Sequence, residues 1–364
     1  MEEKILKKSA VFVTLLSVIA CVGVFWFPRL RTASEQFLAA VKEYRTKAEA
    51  ERLNMTGLEL MEYNNKQIKE ETGEEPSFAS QIRLELPLGV TGSDVEIEND
   101  YMTQKIDVRI PYAGDEYFYQ YPVLGNGSNM KSLSYEKQQN YGVVEFIMER
   151  VYETRTSYDE DYFYIDFLTP QELYDKVVVI DAGYGGNETG AVKQGVLEKN
   201  INLDIVLQLK EIFDKAKDRS IGIYYTRTTD ENPEIEQRKA LIDKTDADLF
   251  VSICANATQS GRMSSINGTQ VLYEEETDDE EMHAKRFAQI CLEEVTAAVG
   301  SSNKGLLEGN GDSVVYGSKV PAVLIKVGFM TNQTELDRLC SREYQSKAAQ
   351  GIYNAVIRTL TEEN

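Results

Sequence analysis

A regular alternation of short apolar runs and longer helical stretches, from Lys176 to Leu360, narrows the fold more than any other feature of the chain. Lys176 to Asp181, Ile221 to Tyr225, Leu249 to Ile253, Gln270 to Tyr273 and Pro321 to Val327 are short and mostly apolar, and they read as strands. Asn202 to Lys217 carries Leu203, Ile205, Val206, Leu209 and Ile212 at helical spacing. Pro233 to Lys244 opens with a proline suited to a first helical turn, and Met282 to Val299 and Glu343 to Leu360 add two more helices. Strands separated by helices predict an α/β fold, an open and mostly parallel sheet flanked by helices. In such sheets the site lies beyond the carboxyl ends of the strands. Tyr184, Cys254 and Lys326 fall at or near such ends although far apart in sequence, so they are expected to converge.

Before this region the period changes to two. Ile82, Leu84 and Leu86 alternate, as do Ile106, Val108 and Ile110. Val143 to Tyr152 and Tyr162 to Leu168 read as two long strands around a polar turn at Thr156 to Asp161. Residues 79–172 are therefore expected to form a small β-sandwich, with the α/β domain following over 173–364. Twelve of the 21 tyrosines lie between Tyr101 and Tyr174. Exposed rings there would suit stacking on sugars, but tyrosine is also simply a good strand former.

Ala10 to Phe27 is an uncharged run of 18 residues. As a helix it would span roughly 27 Å, close to the apolar thickness of a bilayer. Lys4, Lys7 and Lys8 precede it, and Trp26, Arg29 and Arg31 suit the interface, so residues 1–31 read as an uncleaved transmembrane signal-anchor with the membrane as a partner. Val18-Ile19-Ala20-Cys21 resembles a lipoprotein lipobox, which would instead make Cys21 the lipidated first residue. Residues 32–78 read as a helical stalk, either a spacer or a dimerising coil.

The formal net charge of −21 argues against nucleic acid as a partner, because phosphate binding needs a basic surface. Glu274 to Glu281 is acidic at seven of eight positions and reads as a solvated segment. The four cysteines show no zinc-finger or CxxC spacing. The one histidine, His283, is on a helix apart from the strand ends.

Several blocks occur in one order: Asp181-Ala182-Gly183, Gly185-Gly186, Gly195-Val196-Leu197-Glu198-Lys199-Asn200, Thr226-Arg227, Ala247 to Ile253 followed by Ala255-Asn256-Ala257, and Pro321 to Leu324 followed by Gly328 to Asn332. Through them the chain resembles the zinc-dependent N-acetylmuramoyl-L-alanine amidases of bacterial cell walls over residues 176–362. The resemblance implies three zinc ligands, His, Glu and His, with an open position for water and a glutamate base on the last strand. Of that set only Glu198 is present. Tyr184 stands for the first histidine, Cys254 for the second and Lys326 for the base. An ammonium about 5 Å from a divalent ion, at an effective dielectric of about 20, is repelled by about 7 kcal/mol before screening.

What the resemblance implies is therefore a pseudoenzyme with no catalytic residue and no bound zinc. It would sit in the bacterial cytoplasmic membrane as a single-pass protein, with its C-terminal domains outside. It would bind peptidoglycan, or dock on an envelope protein and regulate it. The alternatives are an active amidase with an unusual metal set and a purely structural scaffold. Asn256, Gly185 and Gly186 are the candidate substrate contacts. Lys326 is expected to pair with Glu198 where the metal would sit, with Tyr184 donating its hydroxyl to the same carboxylate, or else Tyr184 and Cys254 merely fill the space. The β region, by its position and by Phe163-Tyr164-Ile165-Asp166-Phe167, resembles the AMIN domains that target such amidases to peptidoglycan.

Overall fold

The computed structural model describes residues 54–73, 80–216, 219–274, 284–309 and 313–362. Residues 10–27, Cys21 and His283 lie outside them. Among the described residues no helix is long and apolar enough to cross a membrane. The longest, Arg342–Glu362, has the length but carries Glu343, Lys347 and Arg358 along it. Membrane anchoring, a membrane partnership and a single-pass location therefore find no support and are withdrawn.

The chain divides into two compact units, Met1–Leu60 and Met61–Asn364. In the first, Thr56 and Glu59 exchange hydrogen bonds that cap the start of helix α1 (Gly57–Thr72). In the second, the rest of α1 is no free spacer. Met61 is 1% exposed, Asn64 donates to the Val123 carbonyl and Asn65 to the Gly125 carbonyl. The expected helical stalk is thus corrected, because this helix has an apolar and amide-bearing face that a β layer satisfies.

That layer holds β1 (Ile82–Glu85), β2 (Glu96–Asp100), β3 (Lys105–Pro111), the short helix α2 (Tyr117–Gln120), β4 (Leu124–Gly125), β5 (Met130–Gln138), β6 (Tyr141–Met148), β7 (Glu153–Tyr158) and β8 (Tyr162–Leu168). They form two antiparallel sheets, β4-β1-β8-β7 and β2-β3-β6-β5. The period-two residues Ile82, Leu84, Ile106, Val108 and Ile110 are all buried, and Phe146 of one sheet meets Phe167 of the other with ring centroids 5.4 Å apart. The long strand expected over Val143 to Tyr152 breaks after Met148, and β7 takes up Thr156 to Tyr158, the first half of the expected turn. β7 is polar and exposed, so it has no buried face to print a period on.

After α3 (Pro170–Leu173) come β9 (Lys176–Ala182), β10 (Val192–Lys193), β11 (Val196–Leu197), α4 (Glu198–Lys215), β12 (Ile221–Tyr225), α5 (Ile235–Thr245), β13 (Leu249–Asn256), β14 (Thr269–Tyr273), α6 (Ala284–Val299), β15 (Asn303–Glu308), β16 (Ala322–Phe329), α7 (Gln333–Leu339) and α8 (Arg342–Glu362). The central sheet runs β12-β9-β13-β16-β14-β15. It is mixed: β14 runs antiparallel to β16 and β15 follows β14, while the other pairs are parallel. Helices α4, α6 and α8 bury their apolar faces on one side of it, against Val178, Ile180, Val251 and Ile325. On the other side Leu241 and Ile242 of α5 pack with Val177, Val179 and Phe250. The β layer joins this second face through Val151, whose amide donates to the Lys244 carbonyl, and through Glu153, which accepts from the Tyr101 and Tyr224 hydroxyls.

Candidate functional site

The strand ends meet at a tightly held turn. β9 ends in Asp181-Ala182, and the buried Asp181 carboxylate accepts from the Thr226 hydroxyl at 2.6 Å, the Ser252 hydroxyl and the Arg238 guanidinium. Arg238 also donates to the Ala182 and Tyr184 carbonyls. Arg227 donates to the Ala182, Gly183 and Lys199 carbonyls, and Asn202 bridges the Gly183 carbonyl to the Ala255 amide. Buried backbone groups need partners, so this cage fixes the path of the loop. Gly183 must be glycine, because a Cβ there would lie 2.3 Å from the Cys254 sulfur. Gly185 has φ 142 and its Cβ would lie 1.8 Å from the Glu231 carbonyl oxygen. Between them Tyr184 takes the left-handed conformation, φ 60, and is 41% exposed.

The sheet supplies the floor. Ser252 is in register with Asp181 on one side and Leu324 on the other. Two residues further along β13, Cys254 is in register with Lys326, and Lys326 with Gln270. Register partners point to the same face of a sheet. The wall opposite comes from the first residue of α4, Glu198, which is 4% exposed.

Tyr184, Glu198, Cys254, Asn256 and Lys326 thus line one cavity of about 340 Å³, together with Leu324, Leu272 and Ser313. A second cavity of about 340 Å³ adjoins it, sharing Tyr184, Cys254, Leu324 and Ser313 and reaching Asp181, Glu234 and Arg238. The expected convergence is present.

Two expected contacts are not. Among the described residues no ion pair within 4.0 Å joins Lys326 to Glu198; instead Glu198 Oε2 accepts from the Ala191 amide at 2.8 Å. The Tyr184 hydroxyl makes no hydrogen bond to that carboxylate among the described residues. Of the three proposed substrate contacts, Asn256 reaches the cavity wall. Gly185 and Gly186 instead hold the turn: Gly185 pairs with Glu188, and the Gly186 amide donates to Asp230, itself held by Lys199 at 2.6 Å. Asp181, Arg227, Arg238 and Asn202 had no role assigned from sequence, although an aspartate closing an apolar strand was the readable signal.

Burial pushes the Glu198 carboxyl up to about 7, with the Ala191 amide and the Lys326 charge drawing it back only in part. Burial, then Glu198, pushes the Tyr184 phenol up to about 12. The Cys254 thiol is pushed well above its ordinary range by burial and then by Glu198. Three of the four groups thus favour their protonated, neutral forms, and the fourth is a lysine. Metal binding requires deprotonated donors. Among the described residues no three His, Cys, Asp or Glu side chains are grouped to hold a metal ion.

A profile of the N-acetylmuramoyl-L-alanine amidase family matches residues 178–358. An uncharacterized Bacillus subtilis protein, YqiI, is 35% identical over 186 residues, which span 51% of this chain and 85% of that one. The Bacillus subtilis N-acetylmuramoyl-L-alanine amidase LytC is 31% identical over 182 residues, 50% of this chain and 35% of LytC. Among solved structures, the catalytic domain of the amidase CwlV from Bacillus (Paenibacillus) polymyxa var. colistinus is 32% identical, covering 51% of this chain and 98% of that one at a TM-score of 0.46.

Proposed function

Because the chain belongs to the N-acetylmuramoyl-L-alanine amidase family, we propose that it is a peptidoglycan-related protein whose amidase fold binds wall material without cleaving it. The observation that carries this reading is the content of one cavity. Tyr184, Cys254 and Lys326 line it together with Glu198, at the positions where the resemblance calls for two histidines and a base. Lys326 brings an ammonium to the place of a general base, and a protonated amine accepts no proton from water. The cage around the turn, Asp181 with Arg227 and Arg238, argues for a shaped pocket rather than a collapsed relic. In the same reading, residues 79–172 are an AMIN-like wall-targeting layer and 173–364 the degenerate amidase domain, in a zinc-dependent family from which zinc binding has been lost here.

The test is zinc uptake by the purified protein at neutral pH, compared with the combined variant Tyr184→His, Cys254→His, Lys326→Glu. The wild-type protein should hold no stoichiometric zinc, and the variant should approach one ion per chain. Near-equimolar zinc in the wild-type protein would overturn the reading.

A further inference from the structure

Lys326 holds a charge that no ion pair among the described residues answers; Glu198, in the same cavity, acts on it only at a distance. It is half-buried, and among the described residues it has no carboxylate within 4.0 Å and no hydrogen-bond acceptor. The nearest acid in the cavity, Glu198, turns Oε2 onto the Ala191 amide. A partly desolvated cation without a direct partner is unfavourable, and the one acid in its cavity is drawn by burial toward its neutral form, so the cavity favours an anionic occupant.

Two further donors share the cavity. The Tyr184 hydroxyl has no hydrogen-bond partner among the described residues and stands on a loop whose backbone is fixed by Arg238 and Arg227. The Asn256 side chain accepts from the Ala257 amide at 2.9 Å, which orients it and leaves its Nδ2 with one long contact, 3.4 Å to Gln270. An ammonium, a phenol and an amide N–H lining one cavity suit a single planar anion.

We infer that this cavity binds the free carboxylate of a short peptide, with Lys326 as its charged anchor and Tyr184 and Asn256 as neutral donors. This rests on the binding reading of the site given above. A carboxylate fits better than a phosphate: one cation balances one negative charge, and a dianion would crowd Glu198 across the cavity. The volume of about 340 Å³ admits the end of a peptide. The net charge of −21 means that binding of an anion cannot come from the general field of the protein and must be local.

The test is calorimetric titration of the full-length protein with L-alanyl-D-glutamate and with its diamide. The acid should bind roughly tenfold or more tightly than the diamide, a difference of about 1.4 kcal/mol. Lys326→Gln should remove that preference, and Lys326→Arg should keep the acid within about threefold of wild type, since it restores the charge. Thermal melts confirm that both variants fold. Equal affinity for acid and diamide, an unchanged preference in Lys326→Gln, or no binding of the acid would each overturn the inference, as would equal competition by inorganic phosphate. Release of stem peptide from walls by the same preparation would instead overturn the non-catalytic reading and leave the carboxylate preference standing.

Discussion

Cys254 and Lys326 are register partners on the adjacent parallel strands β13 and β16. Two positions that are 72 residues apart in the chain are therefore neighbours on one face of the sheet, and each change of side chain alters the surroundings of the other. The buried thiol and the lysine line the same cavity, and the same thiol lies 2.3 Å from where a Cβ on Gly183 would stand.

That closeness predicts a coupled pair. Gly183→Ala should destabilise the protein by about 1–3 kcal/mol through overpacking against the Cys254 sulfur. Cys254→Ala removes that sulfur, so the double variant should recover most of the Gly183→Ala cost. Urea denaturation of the four proteins measures this, and additive effects would show that the turn is not pressed against β13.

Asp181 accepts from Arg238, Thr226 and Ser252 inside the protein. Asp181→Ala would leave the Arg238 guanidinium buried without its carboxylate, and a loss of about 3–5 kcal/mol is expected. A change below about 1 kcal/mol in chemical denaturation would mean that the cage does not hold the turn.

Glu198 gives a pH dependence with a definite sign. Its carboxyl is pushed up from 4.5 to about 7 by burial, so between those values the folded protein holds a proton that the unfolded chain releases. Stability from this group is complete below pH 4.5 and is lost as pH rises through 7. Glu198→Gln removes the dependence, so the variant should gain on wild type by up to about 3 kcal/mol between pH 4.5 and 8. Denaturation curves at both pH values, with a chelator present, read the gain directly. A variant that is relatively less stable at pH 8 would contradict the assignment.

The strand ends of the site were legible because β9, β13 and β16 are mostly buried and print mostly apolar runs, broken by the site residues themselves. The strand β15, Asn-Lys-Gly-Leu-Leu-Glu, left no such trace, since it is an edge strand exposed at both ends. The reversal of β14 against β16 was also silent, because an apolar pattern records which side a residue faces and not which way the chain runs. The missing Glu198–Lys326 pair has a similar cause: sequence brought the two residues to one cavity, but the Ala191 amide that claims the carboxylate comes from a short loop whose path depends on Gly190 at φ 63. The helix Gly57–Thr72 fell inside the expected stalk, spacer or dimerising coil, because its buried contacts through Asn64 and Asn65 are made by amides that a search for apolar periodicity passes over.

The most direct measurement is release of stem peptide from purified peptidoglycan by this protein with zinc supplied, beside an active amidase of the same family. With Tyr184, Cys254 and Lys326 in one cavity, the account predicts no release above the enzyme-free control. Zinc-dependent cleavage of the bond between muramic acid and L-alanine, abolished by Glu198→Gln, would contradict it.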